Sequence, residues 1–228
     1  MESKKKRVIE PEQVKMVVAM FVVAAVAALL LGLTDIVTRA PIAEAEKEAL
    51  HKALGQVLPP HANDPLEDML TIKPDGSDTP KQFYPARDKA GNSVGMAWET
   101  IAPDGYSGTI RILMGVFPDG TVHAIRITSH RETPGLGDGI VHNSKWLGSF
   151  AGRTLDNVRW AVKKDGGEFD QFTGATITPR AVIKAVKQGL VLFRDNRDAL
   201  LAPKEKVAND KAPAKDATGS SEKEATDE

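Results

Sequence analysis

From Met16 to Leu33 the chain reads MVVAMFVVAAVAALLLGL, eighteen residues without a charge. That length is at the lower end of what spans a bilayer as a helix. Helix is the state that satisfies every backbone group where no water reaches. From Ile42 to about Leu58 an Ala/Glu/Lys/Leu-rich pattern predicts a helix leaving the membrane, ended by Pro59-Pro60. His61 to Asp88 is rich in Pro, Asp and Gly and has little periodicity. It reads as loop, with a short strand near Phe83-Tyr84. Ser93 to Ile101 alternates as a strand does, and Gly105 to Phe117 reads as a second strand after a Gly-rich turn. Pro118-Asp119-Gly120 is a turn, and Thr121 to Thr128 alternates again, so the strands flanking that turn form a hairpin. Ala181 to Arg194 has apolar residues at helical spacing, with Thr178 placed as N-cap and Pro179 as first helical residue. The pattern predicts an α+β fold, an antiparallel sheet with packed helices behind one N-terminal transmembrane helix.

Charge adds a direction. Lys4, Lys5, Lys6, Arg7 and Lys15 precede the apolar run, while Asp35 and Arg39 follow it. The excess of positive charge on the amino side predicts a cytoplasmic N-terminus. Everything after Leu33 is then extracytoplasmic, the periplasm in a Gram-negative cell. A cleaved signal peptide is the alternative, with Thr38-Arg39-Ala40 as the processing site. From Pro203 the chain has almost no large apolar residue and is expected to be a disordered tail.

Composition excludes several chemistries. A net charge of -1 with no basic stripe argues against nucleic acid as a partner. Without cysteine there is no disulfide, no Cys-ligated iron–sulfur cluster and no thiolate nucleophile, so redox chemistry requires a bound cofactor. His123, His130 and His142 are scattered without metal-ligand spacing, and His130 reads as a strand-end residue with a structural hydrogen bond. No Ser-His-Asp arrangement and no G-x-G-x-x-G is visible. Trp98, Trp146 and Trp160 read as core, with Trp146 the candidate exception because it follows a glycine-rich loop.

The segment Asp170 to Pro179, DQFTGATITP, is different in kind. Thr173-Gly174-Ala175-Thr176 is a compact turn of small residues leading into a helix start. Glycine lets another group approach closely. A helix start offers unpaired N–H groups and the positive end of the dipole to a phosphate. Spacing alone goes no further than a capped turn.

Asp170 to Thr176 resembles the flavinylation motif Asp-x-x-(Ser/Thr)-Gly-Ala-Thr, with all fixed positions matched. His130 to Gly137, HRETPGLG, is similar to a segment of RnfG and NqrC subunits of bacterial respiratory complexes. Gly105-Tyr106-Ser107-Gly108 resembles the Gly-Tyr-x-Gly turn that opens their FMN-binding region. The three occur in family order, and Ile177 to Val182 looks more like the RnfG/RsxG family than the related NqrC family.

That resemblance implies a single N-terminal transmembrane helix followed by a mixed FMN-binding domain. The parts are a cytoplasmic basic N-terminus (1–13), the transmembrane helix (14–36), a helix and loop region (37–92), the FMN-binding domain (93–200) and the tail (201–228). It implies FMN held covalently as a phosphoester on Thr176, placed there by a flavin transferase that uses FAD, with Asp170 assisting. Thr173, Gly174, Ala175 and Thr178 would surround the linkage, and Glu132, Thr133, Leu136 and Gly137 would contact the flavin. The role implied is an electron relay in a membrane-bound, ion-translocating ferredoxin:NAD oxidoreductase, a translocase whose other membrane and iron–sulfur subunits are partners. No catalytic residue is expected, and the chain is not catalytic alone. The alternatives are an NqrC-like subunit of a Na+-pumping NADH:quinone oxidoreductase, a non-redox assembly subunit, or a flavin domain of a membrane regulator or extracellular reductase.

Overall fold

The structure, a computed structural model, describes residues 11–74 and 79–202. The basic cluster at Lys4 to Arg7 and the expected tail from Pro203 lie outside the described residues. The chain divides into two compact units between Lys52 and Ala53.

Helix α1 runs Pro11–Val57 without interruption. Within it an 18-residue window has mean hydropathy 2.9, so the helix is long and apolar enough to cross a membrane. Its 47 residues correspond to about 70 Å at the usual rise per residue, more than twice the roughly 30 Å of a hydrocarbon core. The sequence suggested one helix for the apolar run and another from Ile42. Instead they are one, continuous through Pro41. Proline removes one donor to the carbonyl four residues back. The run after it, Ile42 to Leu54, is rich in Ala, Glu, Lys and Leu and carries enough helix propensity to continue.

The second unit is built on an antiparallel sheet in the order β1-β2-β3-β4-β5. Its strands are β1 (Leu70–Ile72), β2 (Lys81–Arg87), β3 (Ser93–Gly105), β4 (Gly108–Val116) and β5 (Val122–Ser129). The hairpin around Pro118-Asp119-Gly120 is present: Gly120 N–H donates to Phe117 O, and Asp119 Oδ1 accepts from Thr121 N–H. Gly120 has φ 88°, the left-handed value that such a turn demands of glycine.

Strands β1 and β2 lie where loop was expected, apart from the short strand near Phe83-Tyr84. Burial of Phe83, Tyr84, Ala86 and Arg87 in succession erases the in–out alternation that would have announced β2. Pro85 is tolerated because β1 pairs only as far as Phe83, leaving that stretch with β3 alone as a neighbour.

The core lies between the sheet and helix α4 (Ile177–Asp195). Met96 and Trp98 of β3 and Met114 of β4 point into it, and Trp98 stacks on Phe193 of α4 with centroids 5.6 Å apart. Gly189 lets α4 come close: a Cβ there would sit 2.5 Å from Met114 Sδ. The short elements α2 (Gly139–His142), α3 (Ser144–Gly148), the 3-10 turn η1 (Lys163–Asp165) and α5 (Arg197–Leu201) complete the unit. Leu201, expected at the head of the tail, ends α5 behind buried Leu200. Trp146 packs edge-on against Phe150, which stacks with Phe169 beside Trp160, so all three tryptophans belong to the interior or its margin.

The other sheet face is closed at one end by the last turn of α1. Ala53, Leu54 and Val57 are buried there, and His123 Nδ1 lies 2.8 Å from Val57 O. A Cβ on Gly115 would run into the Val57 carbonyl. Gly115→Ala is therefore expected to destabilise the full-length protein by about 1–3 kcal/mol, the usual cost of forcing atoms into filled space. Thermal unfolding in detergent checks this. An unchanged midpoint would mean that the α1 end does not pack there.

Candidate functional site

Three short segments, far apart in sequence, enclose one cavity of about 140 Å³. The first is the β3–β4 turn, Gly105 to Gly108. The second is the loop Glu132 to Gly137 after β5. The third is Gly174 to Thr178, where the chain enters α4.

Two tight turns face each other. Leu136 N–H donates to Thr133 O at 3.1 Å, with Pro134 and Gly135 between them and Gly135 at φ 77°. Ala175 N–H donates to Phe172 O at 3.1 Å, with Gly174 at φ 78°. Glycine at the third position with positive φ is what a type II turn requires, and Pro134 presets the second position of the first one. Leu136 bridges them: its Cδ2 lies 3.6 Å from where a Gly174 Cβ would be.

A buried carboxylate joins the segments. Glu132 is 4% exposed. Its Oε1 accepts from Ser107 N–H at 3.0 Å, and its Oε2 accepts from the Thr178 hydroxyl at 2.6 Å. Its own N–H donates to His130 Nδ1 at 3.2 Å, the structural bond read for that histidine. Glycines make room around it. A Cβ on Gly137 would lie 2.6 Å from Glu132 Oε2 and 3.0 Å from Thr178 Oγ1, and one on Gly105 would lie 2.9 Å from Glu132 Oε1.

This corrects the expected cap of α4. Its N-cap is Thr176, with Thr178 inside the first turn and fully buried. As the second residue of the helix Thr178 is past the capping position, and its hydroxyl donates to Glu132. Pro179 then falls third in the helix, where a missing N–H still costs nothing because the first-turn donors lack helical acceptors. Thr176 makes no side-chain capping bond and has helical φ and ψ. Its half-buried hydroxyl stands at the start of a 19-residue helix and lines the cavity.

Of the sequence-derived residues, Glu132, Thr133, Leu136, Gly137, Gly174, Ala175, Thr176 and Thr178 all line this cavity. Thr173 does not. It faces a second, more open hollow of about 550 Å³ on the other side of Leu136, with Phe172, Asp138 and His142. Glu132 forms part of the wall, and both its oxygens are engaged by protein donors. Asp170 is exposed and pairs with Lys163 Nζ at 2.6 Å, while its carbonyl accepts from Trp146 Nε1 at 2.8 Å. Tyr106 and Ile177 also line the cavity and had not been singled out as site residues. The available signal was a bulky aromatic in a two-residue hairpin loop, where small turn formers are favoured.

Ion pairs brace the surroundings. Arg180 donates twice to Asp165, at 2.6 Å each, tying η1 to the first turns of α4. Those hydrogen bonds hold the Asp165 carboxyl below the usual range and raise the Arg180 guanidinium. Lys184 does the same to Asp104 at 2.7 Å, lowering that carboxyl mainly by its hydrogen bond. At such exposure these pairs add specificity of position more than stability.

An FMN-binding domain model matches residues 105–191, a range that holds all three cavity segments. The chain is 44% identical over 203 residues to the G subunit of the ion-translocating oxidoreductase complex of Pseudomonas aeruginosa, covering 80% of this chain and 94% of that protein. The corresponding protein of Cereibacter sphaeroides is 45% identical over 184 residues, covering 78% and 83%. That of Photorhabdus laumondii is 48% identical over 174 residues, covering 71% and 82%. Among solved structures, Shewanella oneidensis NqrC aligns with a TM-score of 0.46 and 23% identity over 57% of this chain and 68% of that one.

Removing one partner from the buried pair is expected to be costly. Thr178→Val leaves Glu132 Oε2 without its donor, a loss of about 1–3 kcal/mol. Urea unfolding of Thr178→Val, Glu132→Gln and the double variant checks this. The costs should be non-additive by at least about 0.5 kcal/mol, as for residues in contact. Additive costs would show that the bond does not hold the site.

Proposed function

The chain belongs to the family of G subunits of ion-translocating oxidoreductase complexes, and from that premise we propose that it relays electrons through an FMN held as a phosphoester on Thr176. The observation that carries this reading is the position of Thr176: an N-cap hydroxyl not used for capping, opening into the cavity beside the Glu132 to Gly137 loop. The FMN-binding domain match over the same segments supports the cofactor.

The residues present fit a phosphate ester at this point. The backbone N–H groups of Ile177 and Thr178, in the first turn of α4, have no helical acceptor. The helix dipole places roughly half a positive charge there. An esterified oxygen on Thr176 would bring the phosphate to that end, where the small residues Gly174 and Ala175 line the cavity. Attachment from FAD balances simply: the Thr176 oxygen replaces AMP on the FMN phosphorus, and the hydroxyl proton leaves. A flavin transferase would need to approach the exposed 170–175 turn, where Asp170 is accessible.

When bound, FMN supplies chemistry that links one-electron and two-electron partners; the protein supplies position and electrostatics. Residues 14–36 would cross the membrane with the N-terminus in the cytoplasm, and the domain of residues 93–200 would face the other side. The tether keeps the cofactor in a compartment where a lost flavin is not readily replaced. The anchor holds it near the membrane and iron–sulfur subunits of a ferredoxin:NAD oxidoreductase that moves Na+ or H+. The chain would be a relay in that assembly and not a catalyst by itself.

Purification from a host with an active flavin transferase tests the linkage. Wild type should fluoresce as a flavin band in a denaturing gel and gain the mass of one FMN less water. Thr176→Ala should show neither. Fluorescence retained in the variant would place the flavin elsewhere, and an unmodified wild-type mass would favour an assembly role.

A further inference from the structure

The Thr176 hydroxyl is poorly placed for the reaction that the proposed linkage requires. Thr176 is half-buried, and the cavity it lines measures about 140 Å³. Transfer from FAD forms the bond from Thr176 Oγ1 to the FMN phosphorus and breaks the pyrophosphate bond to AMP. The hydroxyl proton is released with AMP. Attacking and leaving oxygens must lie roughly in line through that phosphorus. The riboflavin arm, the departing AMP and the transferase's own groups must therefore all surround one oxygen. Sites that enclose a single organic ligand usually measure about 300–1,000 Å³. The space here is smaller, and the chain's own Glu132, Leu136 and Gly137 wall it.

The segment that carries Thr176 is lightly fastened. Asp170 to Thr178 has one turn bond of its own, Ala175 N–H to Phe172 O. Among the described residues, three polar contacts tie its side chains and turn to other elements, and no strand pairing joins it to the sheet. Trp146 Nε1 donates to the Asp170 carbonyl at 2.8 Å, and Phe172 leans on the same indole with ring centroids 5.2 Å apart. Lys163 Nζ pairs with the Asp170 carboxylate at 2.6 Å, an exposed pair that contributes little. The Thr178 hydroxyl donates to Glu132 at 2.6 Å. The hold on the helix is weak as well. Thr176 O accepts from Arg180 N–H at a stretched 3.4 Å, and Pro179 has no N–H to offer the Ala175 carbonyl. Helix ends and turns of this kind open locally at far lower cost than the whole domain.

We infer that the transferase receives Asp170 to Thr178 as an opened segment, lifted away from Glu132 and Trp146, and that the Glu132–Thr178 and Trp146–Asp170 bonds set how often it opens. This rests on the reading of Thr176 as the attachment point. Opening brings the hydroxyl out of the cavity and frees the Asp170 carboxylate from Lys163, so both ends of the flavinylation segment become available together. Its main cost is one buried bond, since Glu132 loses its Thr178 donor. After transfer the same bond re-forms and returns the ester to the start of α4. The open form is the transferase's substrate, and the closed form holds its product.

The test uses the full-length chain purified without flavin, in detergent, mixed with a purified flavin transferase and FAD. Intact mass follows the gain of FMN. Modification through a minor open form follows that form's population when opening and closing are fast. Thr178→Val and Trp146→Phe, which remove donors on different elements, should each speed labelling by about fivefold or more. Thr178→Ser keeps the donor and should label at the wild-type rate. Gly115→Ala weakens the domain far from the segment and should also label at the wild-type rate. Thr178→Val and Trp146→Phe labelling no faster than wild type would overturn the opening, as would Gly115→Ala accelerated as much as they are. Either result leaves the Thr176 linkage standing if wild type gains one FMN and Thr176→Ala gains none. Wild type without FMN, or Thr176→Ala with it, would overturn the linkage and the opening together.

Discussion

The site depends on satisfying one buried carboxylate. Burying an acid is unfavourable unless donors meet it, and removing a partner leaves the desolvation penalty without compensation. Glu132 meets that demand with the Ser107 N–H and the Thr178 hydroxyl. These donors come from different elements, so meeting the demand assembles the site. The β3–β4 turn, the loop after β5 and the first turn of α4 cannot shift independently without exposing an unmet acceptor. The glycines at 105 and 137 have the complementary role, because a side chain at either would occupy the space the carboxylate needs.

The rest of the domain keeps those three segments within reach. Strands β3, β4 and β5 form a meander, so the turn and the loop emerge at the same end of neighbouring strands. Helix α4 must lie close enough for Thr178 to touch Glu132. Gly189, packed against Met114 and Trp98, allows that approach, and Phe193 stacked on Trp98 sets the far end of the helix. The core thus fixes where α4 begins, and its beginning is where Thr176 stands.

What could be read in the chain follows from where the information lies. The alternation of β3 to β5, the Pro-Asp-Gly turn and the helical spacing after Ala181 are local, and they were legible. Strand β2 was only partly so, because burial on both faces removes its period. The start of α4 was misplaced for an instructive reason. Thr178-Pro179 has the local form of a cap followed by a first-turn proline, yet the hydroxyl's partner is Glu132, 46 residues away. Propensity cannot see such a partner. The motif resemblance gathered most of the cavity residues from sequence, but it ranked Glu132 as a flavin contact, while the structure gives its oxygens to the protein. Tyr106 was visible as part of a turn, and its place at the cavity mouth required coordinates.

A small cavity and a covalent bond are, on the proposed reading, two sides of one arrangement. A flavin retained by affinity alone needs a deep pocket that encloses most of its surface. A tether removes that need, since ring and rim then meet at the high effective concentration of linked partners. Weak contacts suffice to orient the ring, and a few apolar side chains on pinned turns can supply them. On that reading, the rigidity conferred by Glu132 holds the tether point at a constant position.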